Sequence, residues 1–235
     1  MPLTQDCGKG GKALVLLFDI DGTLLESGEA GTRALNRAFQ SLFSIPDGFK
    51  GISMAGKTDI QIMKEALQAH GIGSSDGALQ ELTLRYIDYL KEEIDNPRKK
   101  LKPGVREFLQ LVHKKAIPSG LLTGNIKEGA HIKLGAFGLN RFFIDGAYGS
   151  DHEDRNRLLP IAVKRLNRKG INISYKQCVV IGDTPRDVEC AKIHGAKCIA
   201  VSTGPYSYDE LKKTDADLVV ESLQEQERIL EFLKT

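Results

Sequence analysis

Short apolar runs of strand length, each followed by polar residues or a turn, most strongly restrict the fold of this chain. Runs that are largely apolar, instead of alternating with polar residues, are typical of strands covered on both faces, as in a parallel sheet. In chain order the runs are Ala13–Phe18, Ile117–Leu122, Cys178–Ile181, Lys197–Val201 and Leu218–Val220. The chain is therefore expected to contain a parallel sheet built from these segments.

Amphipathic segments lie between the later runs. The apolar residues Val105, Phe108, Leu109 and Val112 recur at helical spacing, and further helix patterns open near Leu158 and after Pro185. Alternation of strands with helices predicts an α/β fold with a Rossmann-like, doubly wound parallel sheet.

The first two apolar runs are separated by about 100 residues in which no strand pattern is evident. Helix patterns span Leu35 to Leu42, Ile60 to Leu67 and Leu79 to Leu90. Because a structureless loop of this length is implausible in a compact domain, an inserted α-helical domain is expected. We predict a core made of residues 1–27 and 101–235, with the helical domain at 28–100.

Composition narrows the class of protein. The 235 residues carry 33 basic and 31 acidic side chains, a net charge of +2 that gives no strong field for nucleic acid or a membrane surface. The longest apolar run has six residues, whereas a membrane span needs about 20. The polar N-terminus lacks the apolar region of a secretory signal, so we expect a cytoplasmic protein. No contact surface is legible in the sequence, and a monomer is the default expectation. Its cysteines, expected to be reduced, are Cys7, Cys178, Cys190 and Cys198.

Three polar clusters follow three of the predicted strands, and parallel strands present their carboxyl ends at one edge of the sheet. The clusters are Asp19-Ile20-Asp21-Gly22-Thr23, Thr123-Gly124-Asn125, and the segment from Gly182 through Asp183 to Asp187. Four carboxylates brought together repel one another, and Mg²⁺ with its preference for oxygen ligands would relieve that repulsion. A metal in turn suggests an anionic substrate, most simply a phosphate ester.

The spacing within the first cluster would allow its two aspartates to take different roles at one site. Asp19 and Asp21 are two residues apart, so in an extended chain both side chains point the same way. One carboxylate can then attack while the other handles protons. Gly22 allows the turn to pass close to a ligand, and the side chains of Thr123 and Asn125 can hydrogen-bond phosphoryl oxygens.

The motifs DIDGT, TGN and GDTPRD, in this order, resemble those of the haloacid dehalogenase-like hydrolases. The closest resemblance is to the phosphoglycolate phosphatase-like group, which has a helical cap inserted after the first motif. The resemblance implies Mg²⁺-dependent hydrolysis of a small phosphate monoester through an aspartyl-phosphate, with phosphoglycolate the favoured substrate.

The resemblance also implies roles for matching residues. Asp19 would be the nucleophile, and Asp21 the general acid and base whose backbone carbonyl also ligates the metal. Asp183 would complete the metal ligands, with Asp187 as a ligand or close to one. The substrate's phosphoryl group would be bound by Gly22, Thr123, Gly124 and Asn125.

One departure from the family pattern concerns the cation. The family usually has a lysine, often before proline, between the second and fourth motifs, and no Lys-Pro occurs between Asn125 and Gly182. Arg155 lies where that lysine is usual and is expected to replace it, with Arg157, Lys164 and Arg165 as alternatives. In the cap, Lys57 is expected to meet a second anionic group of the substrate.

Three other functions stay open at this point. A sugar-phosphate mutase of the same fold would use the same aspartate pair but transfer the phosphoryl group to a second substrate group. A haloacid dehalogenase is disfavoured because family members with that chemistry lack the second aspartate, here Asp21. A non-catalytic phosphate-binding or regulatory module is the third, and the missing Lys-Pro is its best support.

Overall fold

A computed structural model of the protein describes residues 14–73 and 76–235. Cys7, Ala13 and the first part of the predicted core segment 1–27 lie outside the described residues. The strands are β1 (Val15–Phe18), β2 (Leu25–Glu26), β3 (Lys100–Leu101), β4 (Ser119–Leu122), β5 (Gly146–Ala147), β6 (Cys178–Gly182), β7 (Lys197–Val201) and β8 (Leu218–Val220). The α-helices are α1 (Ala30–Phe43), α2 (Asp59–Ala69), α3 (Asp76–Glu93), α4 (Val105–Lys114), α5 (Lys127–Gly135), α6 (Leu158–Arg168), α7 (Pro185–Lys192), α8 (Tyr208–Leu211) and α9 (Gln226–Phe232).

Six strands form one parallel sheet in the order β5-β4-β1-β6-β7-β8. Strand β1 is central, because Phe18 pairs with Leu121 of β4 on one side and with Ile181 of β6 on the other. The segments that follow these three neighbouring strands are the three polar clusters identified in the sequence. The predicted convergence of those clusters therefore follows from the strand order.

Helices cover both faces of this sheet. Leu16 and Phe18 of β1 pack in a buried cluster that includes Phe108 of α4, whereas Val15 and Leu17 pack in a second cluster on the opposite face with residues of α6 and α7. Burial on both faces explains why the strand runs are apolar without alternation. The α/β fold class predicted from the sequence is confirmed.

Short strands are where the structure departs from expectation. No strand was predicted between the first two apolar runs, yet β2 and β3 lie there and pair antiparallel, with Leu25 opposite Leu101 and Glu26 opposite Lys100. Strand β5, at the edge of the main sheet, was also missed. Each of these strands is only two residues long, which is too short to produce a recognisable apolar run.

The three helix patterns of the 28–100 interval correspond to α1, α2 and α3. Their apolar faces share a buried cluster that includes Phe39, Met63 and Leu82, together with Ile126 from the segment before α5. Among the described helices, none is long and apolar enough to cross a membrane. The cysteines that the structure describes, Cys178, Cys190 and Cys198, are buried and free.

Candidate active site

A cavity of about 260 Å³ lies between the polar edge of the sheet and helices α1–α3. Most residues singled out in the sequence reach it. From the sheet side it is lined by Asp19, Asp21, Gly22, Gly124, Asn125, Arg155, Asp183 and Thr184, and from the helical side by residues that include Leu35, Met54, Lys57, Asp59, Ile62 and Tyr86. Thr123 and Asp187 are buried beside the cavity without lining it.

Asp19 lies directly after β1, and its backbone N–H donates to the carbonyl of Ile181 on the adjacent strand at 2.9 Å. Its side chain is almost fully buried. Burial raises the pKa of Asp19 to about 6, although the nearby guanidinium of Arg155 acts in the opposite direction. The site thus holds this carboxyl group in a poorly solvated position, with one cation close to it.

Arg155 provides that cation, and it is buried in a 3-10 turn just before α6. Its Nη2 lies 3.3 Å from Oδ2 of Asp19 and also donates to Oδ1 of Asp187. Although burial lowers the pKa of Arg155, the carboxylates of Asp187 and Asp19 raise it above its ordinary value. Its Nε is buried and has no hydrogen-bond partner among the described residues.

The alternative cations are placed elsewhere. Arg157 and Lys164 are exposed. Arg165 forms a bidentate ion pair with Asp151, in which both N···O distances are 2.6 Å. Of the four candidates for the cation, Arg155 alone lines the cavity.

Three carboxylates form a cluster that fits a divalent cation. Asp19, Asp183 and Asp187 are buried, and one oxygen from each lies within 4.8 Å of the others. Burial is the main cause that holds the pKa of Asp183 well above its ordinary value, and repulsion from Asp187 and Asp19 adds to it. Carboxylate oxygens are the ligands that Mg²⁺ prefers. A bound Mg²⁺ would also relieve the repulsion among these carboxylates.

The oxygens of this cluster differ in what they already bind. Asp183 accepts from the Thr23 hydroxyl at 2.8 Å through Oδ1, while no described residue donates to Oδ2. A Cβ atom at Gly22, where φ is +82°, would lie 2.2 Å from that Oδ2, so only glycine fits there. Asp187, in contrast, accepts from Arg155 through Oδ1 and from the Thr184 backbone N–H and hydroxyl through Oδ2.

Asp21 is held apart from the carboxylate cluster. Its side chain is 42% exposed, and Oδ2 accepts from Nδ2 of Asn125 at 2.8 Å and from Nζ of Lys133 at 2.7 Å. Asn125 also donates to Oγ1 of Thr123 at 2.9 Å. Lys133, on α5, was not identified in the sequence, because a lone lysine in a helix gives no signal of a buried ion pair.

The TGN turn is where the helical segment meets the sheet. A Cβ atom at Gly124 would lie 2.1 Å from the carbonyl oxygen of Lys57, and the carbonyl of Gly124 accepts from the backbone N–H of Asp59 at 2.7 Å. Asp59 in turn accepts from the Ile126 backbone N–H at 2.9 Å. Burial raises the pKa of Asp59 to about 6, with Lys133 opposing the shift.

Lys57, expected to meet a second anionic group, does line the cavity. Its side chain is 13% exposed, and Nζ donates to Oε2 of Glu65 on α2 at 2.5 Å. The adjacent Thr58 hydroxyl donates to the carbonyl of Glu153 at 2.7 Å, which ties the start of α2 to the loop before Arg155. The residue that follows Lys57 is thus tied to the loop before Arg155.

Comparison with known families decides the assignment. Residues 16–201 match the model of the haloacid dehalogenase-like hydrolases. The chain belongs to this family.

Individual relatives agree with the assignment. A phosphoglycolate phosphatase from Pseudomonas putida is 25% identical over 216 residues, covering 89% of this chain and 77% of that protein. A validoxylamine A 7'-phosphate phosphatase from Streptomyces hygroscopicus is 25% identical over 211 residues, covering 90% and 94%. The crystal structure of a predicted phosphatase from Clostridium acetobutylicum shares the fold, with a TM-score of 0.70, 22% identity and coverage of 94% and 100%.

The resemblance read from the three motifs is therefore confirmed for this hydrolase. The named relatives also support its assignment as a phosphatase-type enzyme. They differ in the phosphate compound for which each is named, so membership of the family leaves the substrate of this hydrolase open.

Proposed function

We propose that the protein is a Mg²⁺-dependent phosphatase that hydrolyses a small phosphate monoester, with phosphoglycolate the favoured substrate, through an aspartyl-phosphate. The observation that supports this most is the position of Arg155. It is buried against Asp19, beside an acidic cluster, and its Nε donor has no partner among the described residues. A buried, unpaired donor next to a carboxylate is suited to an incoming phosphoryl oxygen.

In the first half of the reaction, a carboxylate oxygen of Asp19 attacks phosphorus while the bond from phosphorus to the ester oxygen breaks. Asp21 gives its proton to that departing oxygen, so an alcohol leaves instead of an alkoxide. Arg155 donates to the phosphoryl oxygens and offsets the negative charge that approaches Asp19. Asn125, Gly22 and Gly124 line the same cavity.

In the second half, the Asp21 carboxylate takes a proton from a water molecule as that water attacks phosphorus. The bond between phosphorus and Asp19 then breaks, which regenerates the Asp19 carboxylate and releases inorganic phosphate. One aspartate thus serves as acid and then as base, and the protons balance over the cycle.

The metal would be held by Asp19 and Asp183 together with the backbone carbonyl of Asp21. A bound Mg²⁺ would supply positive charge to the phosphoryl oxygens and screen the repulsion among the carboxylates. Asp187 was proposed from the sequence as a ligand or a residue close to one. Its hydrogen bonds to Arg155 and Thr184 favour the second role, in which it fixes the cation.

The cavity supports a small substrate. Its volume of about 260 Å³ lies below the range of about 300–1,000 Å³ typical of ligand sites. We propose that residues 28–100 form a cap that closes over a core made of residues 1–27 and 101–235, and that Lys57 meets the second anionic group. We also propose that the protein acts as a monomer and that it works in the cytoplasm.

The test measures phosphate release from a panel of small esters that includes phosphoglycolate and a chromogenic aryl phosphate, with Mg²⁺ and with a chelator. Asp19→Asn removes the nucleophile and is expected to abolish Mg²⁺-dependent release, with the circular dichroism spectrum unchanged. Asp95→Asn, at an exposed site away from the cavity, is the matched control and should retain activity.

Each other result has a distinct meaning. Substantial turnover by pure Asp19→Asn would contradict the nucleophile assignment. Isomerised sugar phosphates, in place of free phosphate, would show the mutase outcome. Binding of phosphate and Mg²⁺ without turnover of any ester would show a non-catalytic module.

A further inference from the structure

The buried ammonium group of Lys133 is in contact with the aspartate that we propose as the general acid. Nζ donates to Oδ2 of Asp21 at 2.7 Å and to Oδ1 of Asn125 at 2.6 Å. The lysine side chain is 6% exposed, against 42% for Asp21. Lys133 therefore reaches the cavity from the interior of the protein, beneath the more accessible carboxylate.

Asn125 completes the arrangement. Its Nδ2 donates to the same Asp21 oxygen, Oδ2, at 2.8 Å, while its Oδ1 accepts from Lys133. Asp21, Asn125 and Lys133 thus form a closed triangle of hydrogen bonds. No described residue donates to Oδ1 of Asp21, which leaves that oxygen free for exchange with a ligand.

Lys133 also lies close to helix α1 on the helical side of the cavity. A Cβ atom at Gly31 of α1 would lie only 3.5 Å from Nζ, which is ordinary van der Waals contact. The α5 residues Ala130 and Leu134, on either side of Lys133 in the sequence, are both fully buried, and so is most of the lysine. Its long side chain has little freedom to take another position, so the direction of its hydrogen bond to Asp21 is set by the fold.

We propose that Lys133 is a positioning residue that, with Asn125, locks Asp21 by its Oδ2 atom and directs the proton of the general acid to Oδ1. The inference rests on the proposed phosphatase function. Lys133 does not touch the reacting atoms. It acts by holding the acid where its proton can reach the departing ester oxygen, and its loss lets the Asp21 side chain rotate away.

This role predicts a dependence on the leaving group. Phosphoglycolate releases an alkoxide that needs the proton, whereas acetyl phosphate, of similar size, releases a carboxylate that needs none. The ratio kcat/KM includes binding and the steps up to the departure of the leaving group, and comparing the two compounds separates the acid's contribution from losses common to both. A misplaced acid lowers kcat/KM for the first ester and spares the second.

The experiment measures kcat/KM with Mg²⁺ for both compounds in the wild-type protein, Lys133→Met and Lys133→Gln. Lys133→Met is expected to lose at least about tenfold with phosphoglycolate, and less than about threefold with acetyl phosphate. Lys133→Gln retains an N–H donor and is expected to lose less, and it carries the test if the methionine variant does not fold. The control is Lys127→Met, an exposed lysine on the same helix.

Equal losses with both esters in a folded variant would overturn the positioning role and indicate a general structural one. Undiminished kcat/KM with phosphoglycolate in folded Lys133→Met, or in Lys133→Gln where the methionine variant does not fold, would overturn it as well. If the wild-type protein turns over another alkyl phosphate better, that ester takes the place of phosphoglycolate. Release from no ester by the wild-type protein would overturn the proposed function, and this inference with it.

Discussion

Nη2 of Arg155 lies 3.3 Å from Oδ2 of Asp19, in a part of the protein where both side chains are at least nine-tenths buried. The cation reaches Asp19 from a turn 136 residues later in the chain, and Asp187 fixes its guanidinium from a third segment. The proposed nucleophile and the group that would bind its phosphoryl target are therefore held together by the fold.

Replacing Arg155 by alanine should lower kcat/KM by about 1.5–3 kcal/mol of transition-state stabilisation, the scale of a charge-assisted hydrogen bond, or roughly 10- to 150-fold. Arg157→Ala is the control, since that side chain is 70% exposed. Steady-state kinetics with the best ester of the panel measure the effect. A larger loss in Arg157→Ala than in Arg155→Ala would show that the wrong cation has been chosen.

Removing one carboxylate of the acidic cluster tests the metal site. Asp183→Asn retains an acceptor for Thr23 but weakens cation binding, so Mg²⁺ should raise Tm less than in the wild-type protein. At ten times its Kd the ion stabilises a folded protein by about 1.4 kcal/mol. Thermal unfolding with and without Mg²⁺ checks this, with the exposed Asp215→Asn as control. A Mg²⁺ shift equal to that of the wild-type protein would argue against Asp183 as a ligand.

The raised pKa of Asp59, about 6 instead of 3.8, predicts a pH dependence of stability. Between these pH values the folded protein keeps a proton that the unfolded chain releases, so this group destabilises the fold as pH rises from about 4 to 6. The effect approaches about 3 kcal/mol above that window. Asp59→Asn, which keeps an acceptor for Ile126, should remove it.

Urea unfolding in chelator at several pH values provides the measurement for Asp59. The free energy of unfolding of Asp59→Asn minus that of the wild-type protein should grow as pH rises from 4 to 6.5. Other titrating groups cancel in this difference as long as the substitution leaves them undisturbed. A difference that stays constant with pH would contradict the prediction.

A methyl group added at Gly124 should push the helical side of the cavity away from the sheet side. In Gly124→Ala, Cβ would meet the Lys57 carbonyl oxygen at 2.1 Å, so the loop before α2 must move away. A displacement of about 1 Å near a reacting group can cost 100-fold in rate, and we expect kcat/KM to fall at least about tenfold. Gly77→Ala, where nothing lies within 4 Å, should leave kinetics unchanged. Wild-type kinetics in Gly124→Ala would show that this contact does not matter.

The sequence was informative where structure leaves a strong local pattern. The five apolar runs correspond to strands of the main sheet, and the strand order β4-β1-β6 brings the three motifs together as expected. The short strands β2, β3 and β5 left no such pattern. Their pairing depends on where the long segments place the backbone, which is decided by tertiary packing.

Most of the site residues that were predicted lie in motifs that follow a strand, whereas those that were missed lie in helices. Lys133 and Asp59 lie in helices whose charged residues look like solvated ones in sequence. Lys133 occupies a buried face position, and only the fold shows that Asp21 and Asn125 are there to receive it. The acidic motifs, in contrast, combine residue types and spacing that few other proteins share. They could therefore be recognised in the sequence.

The antiparallel pair formed by β2 and β3 places the two ends of the 28–100 insertion side by side, with Glu26 opposite Lys100. A segment whose entry and exit are neighbours can be lengthened, shortened or exchanged without stretching the sheet to which it is attached. The polar edge of the sheet and the helical segment can thus change in sequence and length independently of each other. Grafting a helical segment from a relative at this two-strand junction would test whether that segment sets the substrate preference, because the aspartates of the sheet edge stay unchanged.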